Sequence, residues 1–229
     1  VCSSDLIEHA TALGRPLLVF EALEADYPWA SDRLHRFVID GMRDNAEAFG
    51  KSPVTYFPYV EPQPGAARGL LQELASAACV VLTDDFPSFF LPRIIQTAGR
   101  RLDVRLEAID GNGLIPMRAT DRIFSAAAHF RRYVQKTICT HLRHAPEPEP
   151  LRGLSLPAMN GLPPKVRDRW APADIRLLNG DRARLAQLPI DHDVPVSPMT
   201  GGTSAARQDR KSTRLNSSHV SESRMPSSA

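Results

Sequence analysis

The stretch Cys79-Val80-Val81-Leu82-Thr83-Asp84-Asp85 decides the fold class, because an apolar run leads directly into two carboxylates. A short apolar run of this kind is typical of a strand that is covered on both faces of a parallel sheet. A helical pattern precedes it at 65–78 and another follows it at 88–99. The stretch therefore predicts one strand in a series of βαβ units.

The same alternation of strands and helices extends in both directions from this stretch. Further strands are predicted at 16–20, 53–60 and 104–109, with helical patterns between them. Strands that alternate with helices indicate a parallel sheet with helices on both faces. Short connections favour right-handed crossovers. The sequence thus predicts an α/β fold with a doubly wound, Rossmann-like parallel sheet.

The helix that follows the first predicted strand has clear signals at both ends. Ser31 is a good N-cap residue, and Gly50 is a typical helix stop. Between them six apolar residues recur at helical spacing and predict a helix: Leu34, Phe37, Val38, Met42, Ala46 and Phe49.

Six side chains are predicted to form a cofactor-binding site, because ligands of doubly wound sheets bind beyond the carboxyl ends of the strands. Aromatic rings there can stack on a planar ligand, and carboxylate or amide groups can hydrogen-bond to it. Two alternatives stay open: the carboxylates cap a following helix, or the aromatic loop packs onto its own domain. The six residues are Tyr27, Trp29, Asp84, Asp85, Phe86 and Asn112.

Two other clusters suggest metal binding but do not fit a metal site. Asp110-Gly111-Asn112-Gly113 is similar to the start of a calcium loop, yet Leu114 occupies the next ligand position, so a tight turn is the interpretation. Cys139, His141 and His144 lie at a helix end without a second ligand pair of suitable spacing. No metal site and no catalytic residue are predicted.

Two charged segments have a structural and a functional interpretation. Asp191-His192-Asp193 could raise the pKa of the histidine through its carboxylates, although a polar loop is the simpler interpretation. Arg131-Arg132, on the long helix predicted at 124–143, could face phosphate, although a solvated helix face is the simpler interpretation.

Both ends of the chain match the translation of a sequencing-library adapter. Val1-Cys2-Ser3-Ser4-Asp5-Leu6 matches one strand of the adapter, and 209–229 matches the opposite strand around a variable index. A natural Ser-rich tail is the alternative. Processing scars are excluded from fold reasoning, so we assign 1–6 and 209–229 to the adapter.

The remaining chain divides by composition near His144. Residues 7–144 carry the strand and helix alternation and are assigned to the α/β domain. Ten of the 20 prolines fall between Pro146 and Pro198, which predicts a Pro-rich interdomain linker at 145–208, with short helices near 165–170 and 180–188.

Composition sets only broad limits on function. The formal net charge of +2 neither supports nor excludes binding to nucleic acid. Outside the adapter segments only Cys79 and Cys139 remain, so a reducing cytoplasm is expected. No apolar run approaches the roughly 18 residues of a membrane helix, and no membrane partner is expected.

Four strings together resemble the amino-terminal α/β (antenna) domain of class II-like deoxyribodipyrimidine photolyases, in the cryptochrome/photolyase family. They are RPLLVF at 15–20, YPWASDRLHRF at 27–37, VVLTDDFP at 80–87 and IDGNGLIP at 109–116. The resemblance covers residues 7–142, and the long basic helix after the fourth string fits it as well.

This resemblance implies a cytoplasmic, monomeric parent protein that is a light-driven lyase. In the family, reduced FAD donates an electron to a cyclobutane pyrimidine dimer in DNA, and the dimer splits. The resemblance places FAD in a helical carboxyl-terminal domain beyond Gln208, so the present chain is expected to be inactive alone. The domain seen here would hold an antenna deazaflavin or folate, if one is present.

Two other functions stay open at this point. A cryptochrome-like photoreceptor would share the domain without repairing DNA. A nucleotide-binding α/β module without photochemistry would share only the fold.

The resemblance also implies a sheet whose first strand lies in the middle and precedes residue 7. Without that strand, the flanking strands are expected either to pair with each other or to form a split sheet. In either case we expect the isolated chain to be aggregation-prone or molten.

Overall fold

The structure is a computed structural model that describes residues 3–143 and 147–217. Helices and parallel strands alternate over the first half of the chain, and short helices follow. In chain order the elements are α1 (Ser3–Leu13), β1 (Leu18–Leu23), α2 (Asp32–Phe49), β2 (Thr55–Val60), α3 (Leu70–Ser76), β3 (Val81–Asp84), α4 (Leu91–Arg101), β4 (Leu106–Ile109), a 3-10 turn (Met117–Ala119), α5 (Ala127–Leu142), α6 (Pro164–Arg169), α7 (Ile175–Leu178), α8 (Arg182–Leu185) and α9 (Thr203–Ser217).

The chain divides into two compact units, each built from several segments. We call them the β3–β4 unit and the β1–β2 unit. The β3–β4 unit comprises Val1–Leu18, Ser52–Thr55 and Arg68–Trp170. The β1–β2 unit comprises Val19–Lys51, Tyr56–Ala67 and Ala171–Ala229.

Strands β1 and β2 run parallel. The Thr55 N–H donates to the Leu17 carbonyl, and the Glu61 N–H donates to the Leu23 carbonyl, so the residue numbers rise together along both strands. The last four residues of β2 are buried, whereas β1 is mostly half-buried. Phe20 and Phe57 stack across the pair with ring centroids 5.7 Å apart.

Helix α2 has the predicted ends, but its apolar residues do not all face the core. Ser31 occupies the N-cap position, and Gly50 ends the helix. Leu34 and Phe37, two of the six apolar residues at helical spacing, are 40% and 43% exposed. The buried side instead contains two apolar and three polar or charged residues: His35, Arg36, Ile39, Asp40 and Met42.

The reason for this difference lies in residues 171–202, which cover the polar side of α2. Helix α7 packs against α2, and Leu177 and Leu178 of α7 are buried together with Leu185 of α8. Apolar periodicity within α2 could not reveal this cover, since its partners lie about 140 positions further along the chain. The core of the unit comprises Leu23, Ile39, Met42, Val60, Leu177, Leu178 and Leu185.

The segment predicted as a linker thus contributes buried residues to the β1–β2 unit. Helix α6 confirms the short helix predicted near 165–170, and α8 confirms the one near 180–188. Helix α7 was not predicted. The linker boundaries themselves stay a prediction, and residues 144–146 lie outside the described residues.

Strands β3 and β4 form the second parallel pair, with Val81 opposite Leu106 and Asp84 opposite Ile109. The sequence predicted a strand at 79–83 that is covered on both faces. In the structure β3 is only half-buried, and Cys79 is exposed. Helices α4 and α5 contain no buried residue.

The α/β class is confirmed, whereas a single doubly wound sheet is not. Within the described residues the four strands form two two-stranded sheets, β1–β2 and β3–β4. A split sheet is one of the two arrangements that the sequence led us to expect. None of the described helices is long and apolar enough to span a membrane.

Candidate functional site

The six predicted site residues fall into two groups, one in each unit. Tyr27 and Trp29 follow β1, in the β1–β2 unit. Asp84 ends β3, with Asp85 and Phe86 directly after it, and Asn112 follows β4. Each group lies at the carboxyl end of a parallel strand pair, as predicted.

The loop that carries Tyr27 and Trp29 is fixed by a buried carboxylate. Glu61 directly follows β2 and is only 3% exposed. One of its oxygens accepts the Ala25 N–H, and the other accepts the Ala67 N–H, both at 3.0 Å. Two backbone donors on one carboxylate satisfy much of its hydrogen-bonding capacity and hold both loops in place. Glu61 was not predicted as a site residue.

Tyr27 stacks on a buried histidine of α2. Its ring lies nearly parallel to that of His35, with centroids 5.8 Å apart, and its hydroxyl lies 3.5 Å from Nδ1. This observation supports the alternative that Tyr27 packs its loop onto the unit. Burial raises the pKa of the Tyr27 hydroxyl.

The surroundings of the histidine in this pair lower its pKa. Loss of hydration lowers the pKa of His35, while the backbone at Glu24 and Ser31 and the charge of Asp32 oppose that shift. Its Nε2 is buried and makes no hydrogen bond of good geometry. His35 was not predicted as a site residue, and no local pattern marks it.

Trp29, two residues after Tyr27 in the same loop, offers an open aromatic ring. Its side chain is 66% exposed, although a tryptophan normally buries most of its surface. An exposed indole in a loop held by Glu61 can stack on a planar ligand. Within this group Trp29 is the residue best placed to contact one.

The second group is joined by hydrogen bonds around Asp85. The Asn112 side-chain amide donates to the Asp85 carbonyl at 2.8 Å. The Asp85 carboxylate pairs with Arg118 at 2.8 Å, and Arg118 is itself exposed. Asp85 does not cap α4, because that helix begins six residues later, at Leu91. A ligand that binds the Asp85 carboxylate must therefore compete with Arg118.

The Asp110 turn completes this group. Asp110 accepts the Asn112 N–H at 3.4 Å and also accepts the Met117 N–H through its other oxygen. These bonds support the predicted tight turn. In residues 3–143 and 147–217 no cluster of three His, Cys, Asp or Glu side chains could hold a metal ion. His144, from the second rejected metal cluster, lies outside the described residues.

Aromatic side chains are exposed along the loop after β3. Phe86 is 36% exposed, Phe89 82% and Phe90 55%. Phe89 has a φ of 58°, a left-handed conformation that a bulky residue rarely adopts. The sequence predicted a helix from residue 88, whereas α4 begins at Leu91, so Phe89 lies in the loop.

The structure shows the surroundings of both charged segments. His192 Nδ1 lies 2.8 Å from Asp32 Oδ1, and Nε2 lies 3.0 Å from the Leu188 carbonyl. The hydrogen bond to Asp32 raises the pKa of His192. The main partner is thus on α2 and not one of the flanking carboxylates. Arg131 and Arg132 are exposed, which agrees with a solvated helix face.

Sequence comparison adds one relative from Methanothermobacter thermautotrophicus, 26% identical to this chain over 175 residues. That relative is a deoxyribodipyrimidine photo-lyase. The alignment covers 74% of this chain and 38% of the photo-lyase, so the chain spans well under half the length of the relative. No protein-family model matches the sequence. The similarity to the photo-lyase is distant, and it supports a photolyase-like protein at this coarse level.

Proposed function

We propose that this chain is the amino-terminal α/β part of a class II-like DNA photolyase, a light-driven lyase that splits cyclobutane pyrimidine dimers. The observation that carries the proposal is the similarity to a deoxyribodipyrimidine photo-lyase along 74% of the chain. The parallel strand pairs, each with aromatic and polar side chains at its carboxyl end, are compatible with an antenna domain.

The proposal assigns light-driven electron transfer to a part of the protein outside this chain. The alignment accounts for only 38% of the relative's length. We propose that FAD and most DNA contacts belong to the remaining length, and that the whole protein is a cytoplasmic monomer. No catalytic residue is assigned to this chain.

We propose that an antenna chromophore, a deazaflavin or a folate, binds at the predicted strand-end residues, and we treat each of the two groups as a candidate by itself. Trp29 is the strongest candidate because its ring is exposed. Asn112 and Asp85 supply an amide and a carboxylate next to exposed Phe86. Tyr27 holds this loop on helix α2 through its stacking on His35.

The test of the cofactor assignment uses residues 7–208 alone. We expect this segment to show no stoichiometric flavin absorbance in the visible spectrum and to repair no dimer under blue light. Stoichiometric flavin bound to the segment, or dimer loss, would refute the assignment of FAD to the remaining length.

The antenna site is tested in a protein that includes that length. Trp29→Ala and Asp85→Ala should each weaken the binding of a deazaflavin or folate, measured by absorbance titration. Phe130→Ala and Asp168→Ala are matched controls, because both residues are exposed and neither is one of the predicted site residues. Binding that is unchanged in both site variants would contradict the proposed contacts.

A further inference from the structure

Helix α2 presents a charged pair on its buried side. Arg36 and Asp40 lie one turn apart, 2.6 Å from each other, and their side chains are only 11% and 10% exposed. Arg36 also donates to the carbonyls of Leu177 and Leu178, at 2.9 and 3.1 Å. The guanidinium is therefore held by the end of α7 as well as by Asp40.

The carboxylates of α2 receive a second segment, which comes from residues 201–204. Asp40 Oδ2 accepts the Gly201 N–H at 3.2 Å. Asp44, one turn further along α2, accepts the Ser204 N–H through Oδ2 at 2.7 Å. Both bonds span about 160 positions of sequence, so they are tertiary contacts.

Glycine is required where this segment meets α2. A Cβ on Gly201 would lie 1.9 Å from the Phe37 carbonyl oxygen, which is too close for any side chain. A Cβ on Gly202 would lie 2.5 Å from Asp44 Oδ2, and Gly202 has a φ of +94° that L side chains rarely adopt. The backbone of this turn thus approaches α2 so closely that neither position has room for a Cβ atom.

Helix α9 starts from this turn. The Ala206 N–H donates to the Gly202 carbonyl at 3.1 Å, which is the first helical hydrogen bond. Ser204 lies in the first turn, where backbone N–H groups have no partner within the helix. The Asp44 carboxylate provides that partner from a different helix and also complements the positive end of the helix dipole.

We infer that α2 carries a docking surface, formed by Asp40, Asp44 and the Phe37 carbonyl, whose occupant is the Gly201–Gly202 turn. The surface holds the backbone of residues 201–204 on α2 and so fixes where α9 begins. It has no part in the proposed antenna site. In agreement, the Ser204 N–H lowers the pKa of the Asp44 carboxyl, with Arg43 contributing to the same shift.

Hydrogen exchange with mass spectrometry tests this surface on the chain as it stands. In Asp44→Ala we expect amides in 201–207 to exchange about tenfold to a hundredfold faster, since a hydrogen bond to a charged group is lost. Asp44→Asn keeps one oxygen acceptor and should give a smaller increase. Gly202→Val should raise exchange in the same segment.

Two internal comparisons separate docking from general destabilisation. Amides of 55–60, in β2, should keep their protection in Asp44→Asn. Asp168→Asn removes an exposed charge elsewhere and should leave 201–207 unchanged. If Asp44→Ala unfolds the unit, Asp44→Asn is the deciding variant. The inference is overturned if residues 201–207 exchange at the same rate in Asp44→Asn and in Gly202→Val as in the unsubstituted chain.

Discussion

The β1–β2 unit and the β3–β4 unit use similar elements but bury them very differently. Each contains one pair of parallel strands and helices with apolar stripes. Helix α2 of the first unit buries five residues, including an ion pair. Helices α4 and α5 of the second bury none, and Phe130 and Leu142 of α5 are about half exposed.

This difference shows that an apolar stripe becomes a core face only when a partner covers it. Helix α2 is covered by α7, and backbone carbonyls of α7 accept hydrogen bonds from Arg36. Phe130, Val134, Ile138 and Leu142 of α5 recur at a comparable spacing, but none of them is buried. Helix propensity and periodicity set where a helix forms, while long-range partners decide which face is buried.

The largest expected effect concerns the exposed surface of the β3–β4 unit. Phe89, Phe90, Ile94 and Ile123 are all at least 48% exposed, and contiguous apolar surface promotes association. Unpaired strand edges act in the same direction. We expect the chain to elute as soluble aggregates in size-exclusion chromatography at high protein concentration. Monomeric elution at that concentration would show that these surfaces do not control its behaviour.

The second prediction breaks the ion pair that distinguishes α2. Arg36→Ala leaves Asp40 buried without its main partner and removes two bonds to α7, and such losses typically cost about 3–5 kcal/mol. Hydrogen exchange of peptides from α2 and β2 at low protein concentration should report this loss. Arg131→Ala is an exposed matched control on α5. It should change the free energy of unfolding obtained from hydrogen exchange by less than about 0.5 kcal/mol. Equal effects of the two substitutions would remove the contrast between the units.

The third prediction compares apolar side chains on the same two helices. Met42 is fully buried, so Met42→Ala should destabilise the β1–β2 unit by about 2–5 kcal/mol. Phe130→Ala on α5 removes a half-exposed ring and should cost much less. Exchange protection of the surrounding peptides measures both. If Phe130→Ala loses more exchange protection than Met42→Ala, another part of the protein must pack on α5.

The smallest effect is the pH dependence of the His192–Asp32 contact. The pKa of His192 is raised above its ordinary value of 6.5 by the hydrogen bond to Asp32. The charged contact is therefore complete below pH about 6.5 and is lost as the pH rises through the raised pKa of the folded state. An NMR titration should show a lower His192 pKa in Asp32→Asn. An unchanged pKa in that variant would exclude Asp32 as its cause.

Much of the fold was predictable from local signals. The ends of α2 at Ser31 and Gly50 follow from capping preferences, and the strands of both pairs follow from apolar runs and β-branched residues. The tight turn at Asp110 follows from its Asp and Gly residues. These features depend on neighbours within a few residues, which a single sequence contains.

The tertiary contacts were not predictable in the same way. The sequence offered only the flanking Asp191 and Asp193 as possible partners of His192, but its main partner is Asp32, 160 positions away. Gly201 and Gly202 carried no local signal for docking on α2. The candidate site was predicted as one set of residues, and the structure resolves it into two groups whose ligand contacts stay a prediction.

The measurement that tests the photolyase proposal most directly is dimer loss in DNA under blue light. The protein used should include the length of the photo-lyase relative that this chain does not cover. The proposal predicts that dimers disappear in the light with reduced FAD bound and persist in the dark. Bound flavin without dimer loss would favour a photoreceptor, and a protein with neither flavin nor repair would contradict the proposed function.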